Sequence, residues 1–149
     1  MDRIISGSLA GLVTGIITGL IVAALFSLGL TNYNSTHIAG GLFLKQVLVQ
    51  PVLIWLTIGW ITHLTISTAT GVLFAVILSR TGYDYGLIKG LLFGVALWFL
   101  NFGILAPLLD YTLMPPLNGF DLLVSFVRHL LYGGMLSILL IRYWPPAKV

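Results

Sequence analysis

The chain has 149 residues, of which 58% are hydrophobic and 7% charged, with a formal net charge of +3. A water-soluble domain carries roughly a quarter charged residues, so a soluble globular fold, a disordered chain and a nucleic-acid-binding module are excluded. What remains is an all-α polytopic membrane protein whose first partner is the lipid bilayer and which has no nucleic-acid partner.

The first apolar run, Ile4 to Leu28, is longer than the roughly 7–15 residues of a signal-peptide core. It reads as a retained membrane helix. Gly7, Gly11, Gly15 and Gly19 recur every fourth residue and share one face, and Thr18 lies beside them. The connection from Gly29 to Leu53 opens with turn-forming residues. From His37 to Gln50 it becomes apolar, as expected either of a short helix in the outer interface that ends at Pro51 or of a prolongation of the second span. Asn34-Ser35-Thr36 matches a glycosylation acceptor, a signal too short to carry weight.

The second span, Ile54 to Leu78, carries His63, Ser67, Gly71 and Ala75 in steps of four. The third, Leu87 to Leu108, follows Gly86 and contains Gly90, Gly94 and Asn101, with Ala106-Pro107 expected to break it. The fourth, Phe120 to Ile141, carries Arg128, His129, Gly133 and Ser137 before Pro145-Pro146 stops it. Each run suffices to cross about 30 Å of hydrocarbon at about 1.5 Å per residue. Membrane strands would alternate in polarity, and these runs do not. The expected architecture is a four-transmembrane-helix bundle forming one domain over residues 1–149.

Arg3, Arg80, Lys89, Arg142 and Lys148 fall on one side of such a bundle and Lys45 on the other. The excess places both termini in the cytoplasm and the chain in the cell (inner) membrane. Tyr83, Tyr85, Tyr143 and Trp144 would form the inner aromatic belt, Trp55 and Tyr111 the outer one. The second and fourth spans align from His63-Leu64 onto His129-Leu130, and the first and third align through their glycines. Two parallel-repeated helical hairpins are expected, related by an axis along the membrane normal.

Polar residues within hydrocarbon are costly and need individual explanations. Counted from the outer helix ends, His63 and His129 lie at a depth of about 13 Å, Arg128 at about 12 Å, Asn101 at about 10 Å and Thr18 at about 15 Å. They form one polar layer. Two imidazoles on facing helices can ligate haem iron, with Arg128 on a propionate. The tight glycine faces favour the simpler reading, in which each histidine bonds a neighbouring Ser, Thr or carbonyl and sets helix register. No metal site is expected, and the cofactor is unknown, with haem as the alternative. Arg128 is expected to snorkel toward Asp121; the sharper alternative is an anion-attracting site. With four Asp, no Glu and no Cys, no catalytic constellation is present, and the chain is not expected to be an enzyme.

The stretch from Arg128 to Gly134, Arg-His-Leu-Leu-Tyr-Gly-Gly, together with His63-Leu64, resembles a group of small prokaryotic tetraspan inner-membrane proteins. These have spaced glycines in the first helix, a mid-helix His in the second span, a Gly-x-x-x-Gly third span ending near Pro, and His-Leu-x-Tyr-Gly in the fourth. The matching residues are Gly11, Gly15, His63, Gly90, Gly94, Pro107, His129, Tyr132 and Gly133. The resemblance implies a four-helix inner-membrane fold and no particular activity; the long connection bearing Lys45 departs from the compact version.

The leading functional expectation is a non-catalytic subunit or scaffold, working as a homo-oligomer or in a larger membrane complex, with spaced glycines available for a partner. The alternatives are a transporter or channel element lined by His63, Asn101, Arg128 and His129, and a haem-bearing electron-transfer subunit.

Overall fold

The computed structural model describes residues 2–32, 34–44, 51–108 and 117–145. Asp110, Tyr111, Pro146 and Lys148, and the part of the expected interfacial segment from Lys45 to Gln50, lie outside the described residues. The fold is all-α. Helix α1 (Arg3–Ser27) begins at Asp2, whose carboxylate accepts the N–H groups of Ile4 and Ile5 at 2.8 and 3.2 Å, satisfying donors that a helix start otherwise leaves bare. Helix α2 (Ser35–Gly41) is short and capped by Asn34. Helix α3 (Val52–Thr81) follows Pro51 and ends at Gly82, whose φ of +79° suits a residue without a Cβ. Helix α4 (Gly86–Trp98) widens into a π-helical turn (Phe99–Leu105) and continues as α5 (Ala106–Leu108). Helix α6 (Gly119–Arg142) starts with a reciprocal cap between Asn118 and Asp121.

Four rods are long and apolar enough to cross a membrane: Arg3–Ser27, Val52–Thr81, Gly86–Leu108 and Gly119–Arg142. Their ends agree with the expected spans to within a turn. Pro107 lies one residue before the described part of the third rod ends at Leu108, so whether the helix stops there lies outside the described residues, and the rod changes its winding just before it. Proline lacks the N–H for an α bond and its ring crowds the carbonyl four residues back. The π turn relieves that crowding, with Ala106 N–H reaching back to the Asn101 carbonyl. The interfacial segment also departs from its expected bounds: α2 begins at Ser35, stops at Gly41 and is packed onto α3.

Helix α1 packs along α3 and α4 along α6, while α1 and α6 join the two pairs; α3 and α4 touch sparsely. Small residues make the close approaches possible. A Cβ on Gly71 would lie 2.7 Å from the Gly11 Cα, and one on Gly15 would lie 2.6 Å from the Ser67 Cβ. Gly7 faces Gly71 and Val72, and Gly19 faces Trp60 and His63. In the other pair Gly86 meets Ile141 and Ser137, Gly90 meets Gly133 and Ser137, and Gly94 meets the His129 carbonyl. Lipid gives no hydrophobic drive for helix association, so dispersion across such contacts holds the rods together. Leu and Ile cover the outward faces, as a lipid-facing surface requires.

Two apolar clusters bracket the middle of the bundle. Ala10, Phe74, Ala75, Leu78, Tyr132, Leu136 and Leu140 fill the end nearer the termini. Val22 and Ile38, with Phe102, Leu117 and Val124 against them, fill the other.

Candidate functional site

Between these clusters lies a cavity of ≈ 160 Å³. Its polar lining is Ser35 of α2, His63, Ser67 and Thr70 of α3, Asn101 of the π turn, and Arg128, His129 and Tyr132 of α6. Ile38, Ala39, Leu42, Ile66, Leu97, Leu100 and Leu105 complete it. Four members of the expected polar layer, His63, Asn101, Arg128 and His129, therefore share one space. Thr18 does not join them: it is fully buried on α1, and its hydroxyl donates to the Thr14 carbonyl at 2.9 Å.

The two histidines are held differently. His63 Nε2 lies 3.1 Å from the Gly15 carbonyl. A carbonyl only accepts, so Nε2 carries the proton and ties α3 to α1. His129 Nδ1 lies 2.7 Å from the Ser125 carbonyl of its own helix, which fixes the proton on Nδ1 and leaves Nε2 as an acceptor. Arg128 Nη2 donates to that Nε2 at 2.8 Å. Adjacent helical residues diverge by about 100°, and this bond swings the guanidinium back beside the imidazole and into the cavity wall. Each histidine thus meets a carbonyl, as the simpler reading expected, although His129 bonds within its own helix. Neither Nε2 is presented to the cavity as a free iron ligand, and no group of three His, Cys, Asp or Glu converges among the described residues.

Arg128 does not reach toward Asp121 as expected. That carboxylate is fully buried and occupied: Oδ1 accepts from the Thr31 hydroxyl at 2.6 Å and the Asn32 N–H at 2.9 Å, and Oδ2 from the Asn118 N–H at 3.2 Å. Asp121 latches the α1–α2 connection onto the start of α6, over the end of the bundle that α2 occupies.

Tyr132 donates its hydroxyl to the Ser67 carbonyl at 2.7 Å and lies 2.8 Å from Thr70 Oγ1, bridging α6 to α3 beneath the histidines. Trp98 donates Nε1 to Ser125 Oγ at 2.9 Å, and Trp60 sets its edge against His63; both pack, as expected. Ser35, Ser67, Thr70 and Tyr132 are site residues that sequence reasoning did not place in the layer. Thr70 lies seven residues after His63 and Tyr132 three after His129, so helical periodicity puts both on the histidine faces.

The cavity is bounded sideways by residues that also meet lipid. Ile66 of α3 is 46% exposed and Leu100 of the π turn 43%, on either side of the sparse α3–α4 contact. The site is thus a polar chamber bordered on its α3–α4 side by outward-facing apolar residues. No protein-family model, curated protein or solved structure matches the chain.

Proposed function

We propose that the chain is a membrane-embedded binding element of the transporter class, admitting the polar group of a membrane-dissolved molecule sideways into the cavity. The observation that carries this is the convergence of eight polar side chains from α2, α3, the π turn and α6 on one chamber beside the α3–α4 seam. The scaffold reading relied on small-residue faces left for a partner. Those faces are filled from within the chain, and the support moves to the binding reading.

The packing also supports reading the two hairpins as copies. Gly7 meets Gly71 and Gly86 meets Ser137; Gly11 meets Ser67 and Gly90 meets Gly133. These are the pairs that the alignment of His63 with His129 makes equivalent. Cation placement supports both termini in the cytoplasm, which puts α2 and the chamber in the outer half of the membrane.

A diazirine-bearing alkyl probe with a polar head, photolysed with the full chain in liposomes, tests the proposal. Adducts should concentrate on Ile66 and on Leu100–Leu105 and be lost in Leu97→Trp, which fills the chamber. Adducts spread evenly over outward residues such as Leu20, Leu92 and Leu123 would refute it.

A further inference from the structure

We propose that the ligand is a long-chain alcohol, one uncharged hydroxyl on a hydrocarbon tail, whose hydroxyl bridges Ser35 and His63 inside the chamber. This rests on the cavity being the working site and names the chemistry it selects.

Ser35 and His63 keep hydrogen-bonding capacity that the described chain does not use. Ser35, 5% exposed, lines the chamber, and its buried Oγ has no hydrogen-bond partner. A buried hydroxyl in that state costs free energy that a ligand oxygen would restore. His63 also lines the chamber. Its Nε2 proton goes to the Gly15 carbonyl at 3.1 Å, which leaves Nδ1 as a lone-pair acceptor with no hydrogen bond to a described residue. Other polar neighbours are committed. Tyr132 donates to the Ser67 carbonyl, Thr70 Oγ1 lies 2.8 Å from the Tyr132 hydroxyl, and the His129 ring bonds the Ser125 carbonyl and Arg128.

The two open groups differ in kind. Ser35 has a proton to give, and His63 Nδ1 can only receive one. A ligand hydroxyl answers both at once: its oxygen accepts from Ser35 while its proton goes to Nδ1. An ether or ester oxygen accepts only and leaves Nδ1 bare. A carboxylate sets a lone pair against that of the ring nitrogen. An ammonium brings a charge into a low-dielectric space where no described lining residue is a carboxylate.

Size sets the rest. A volume of ≈ 160 Å³ is close to that of a cavity of about 150 Å³ that holds benzene. It admits a hydroxymethyl group with its first methylenes and excludes a sugar head group. The tail that follows meets Ile66, Leu97 and Leu100, which border the chamber on its α3–α4 side; Ile66 and Leu100 also face outward. A short water-borne alcohol would leave that apolar border unused.

The test uses the full chain in nanodiscs of phosphatidylcholine with a diazirine-bearing hexadecanol as probe. Hexadecanol should displace it from the cavity peptides at about tenfold lower concentration than methyl hexadecyl ether, which keeps the acceptor and lacks the proton, while ethanol should not compete. Ser35→Ala should weaken alcohol and ether alike, by about tenfold, and leave their ratio unchanged. His63→Gln keeps a donor for the Gly15 carbonyl but moves the acceptor from the Nδ1 position, and there the preference for alcohol should vanish. Equal displacement by alcohol and ether in the unaltered chain would overturn the hydroxyl head, with the binding site intact. Palmitate displacing the probe better than hexadecanol would overturn the uncharged head, and ethanol competing at hexadecanol-like concentrations would overturn the tail. A preference that persists in His63→Gln would overturn the role of Nδ1. Unchanged affinities in Ser35→Ala would overturn the role of that hydroxyl, whether or not His63→Gln folds. Absence of cavity labelling by any probe would instead remove the binding reading itself.

Discussion

Gly133 and Gly134 are neighbours on α6, yet alanine should act on them in opposite directions. A Cβ at 133 would stand 2.9 Å from both the Gly90 carbonyl carbon and the Gly94 nitrogen. Both are backbone atoms of α4 and cannot rotate aside. Ordinary carbon contacts lie at about 3.5–4.0 Å, and the Gly90 carbonyl oxygen would stand closer still, so α4 must retreat by at least about 1 Å, and a gap of that size forfeits about half of each dispersion well. Overpacking of this kind costs about 1–3 kcal/mol. At 134 the Cβ would meet Leu91 Cδ2 at 3.5 Å and Leu87 Cδ1 at 3.8 Å, ordinary contact with flexible side chains. There the helix preference for Ala over Gly, about 0.8–1 kcal/mol, goes uncontested. The two variants should therefore differ by about 2–4 kcal/mol, at least roughly 30-fold in the unfolding constant. Reversible unfolding in mixed micelles or steric trapping in bicelles measures this directly. Equal effects of G133A and G134A would refute the claim that direct α4–α6 backbone contact holds the second pair.

Asp121→Asn keeps the shape of the latch but turns an amide N–H₂ toward donors, which should cost about 2–3 kcal/mol in the same unfolding assay and raise proteolysis in the α1–α2 connection; unchanged resistance would count against the latch. His37, edge-on to Phe26 and tilted against Trp55 with ring centroids 5.0 and 3.9 Å away, has its pKa lowered from 6.5 by burial. The folded form then binds fewer protons than the unfolded one, so docking of α2 should weaken as pH falls below about 6.5 and should not weaken in His37→Phe. Trp55 fluorescence reports it, and identical pH profiles in both chains would refute it. The chain has no cysteine, so Leu30→Cys should react with an impermeant maleimide in intact cells and Asp84→Cys only after permeabilisation; the reverse pattern would invert the orientation.

The spans were legible because lipid imposes one requirement, an unbroken apolar run with its backbone bonds satisfied internally, and composition reveals it directly. The glycine faces were legible as faces, since a step of four residues stays on one side of a helix. Which face meets which was not, and so the glycines of α1 and α4 looked available for a partner when α3 and α6 fill them. The layer of His63, Asn101, Arg128 and His129 followed from depth alone. Arg128 was misjudged because Asp121, seven residues earlier on the same helix, looked like its natural partner; competition from Thr31, 90 positions away in sequence, leaves no trace in local spacing. Asn101 reaches the chamber through a π turn, and its register depends on how the chain accommodates Pro107.

The chamber itself follows from how the pairs are built. Glycine and serine draw α1 onto α3 and α4 onto α6 until backbone meets backbone, and the α1–α6 contact then joins two tight pairs. The α3–α4 side has no equivalent. Phe74 and Phe93 stack there at 4.8 Å between ring centroids and prop the two helices apart at the end nearer the termini. Beyond that prop the facing residues are Ile66, Leu97 and Leu100, which border the space without closing it. Helix α2, docked on α3 where a Cβ on Gly40 would lie 3.5 Å from the Gly59 Cα, roofs the gap. Two tight pairs joined by the α1–α6 contact, with an aromatic spacer between α3 and α4, thus leave the chamber on the sparsely packed side, and the costly polar residues line it. A polar layer inside a closed four-helix core would be costly with no return; on the binding reading proposed above, its place beside the sparse α3–α4 contact is where a ligand's polar head is received.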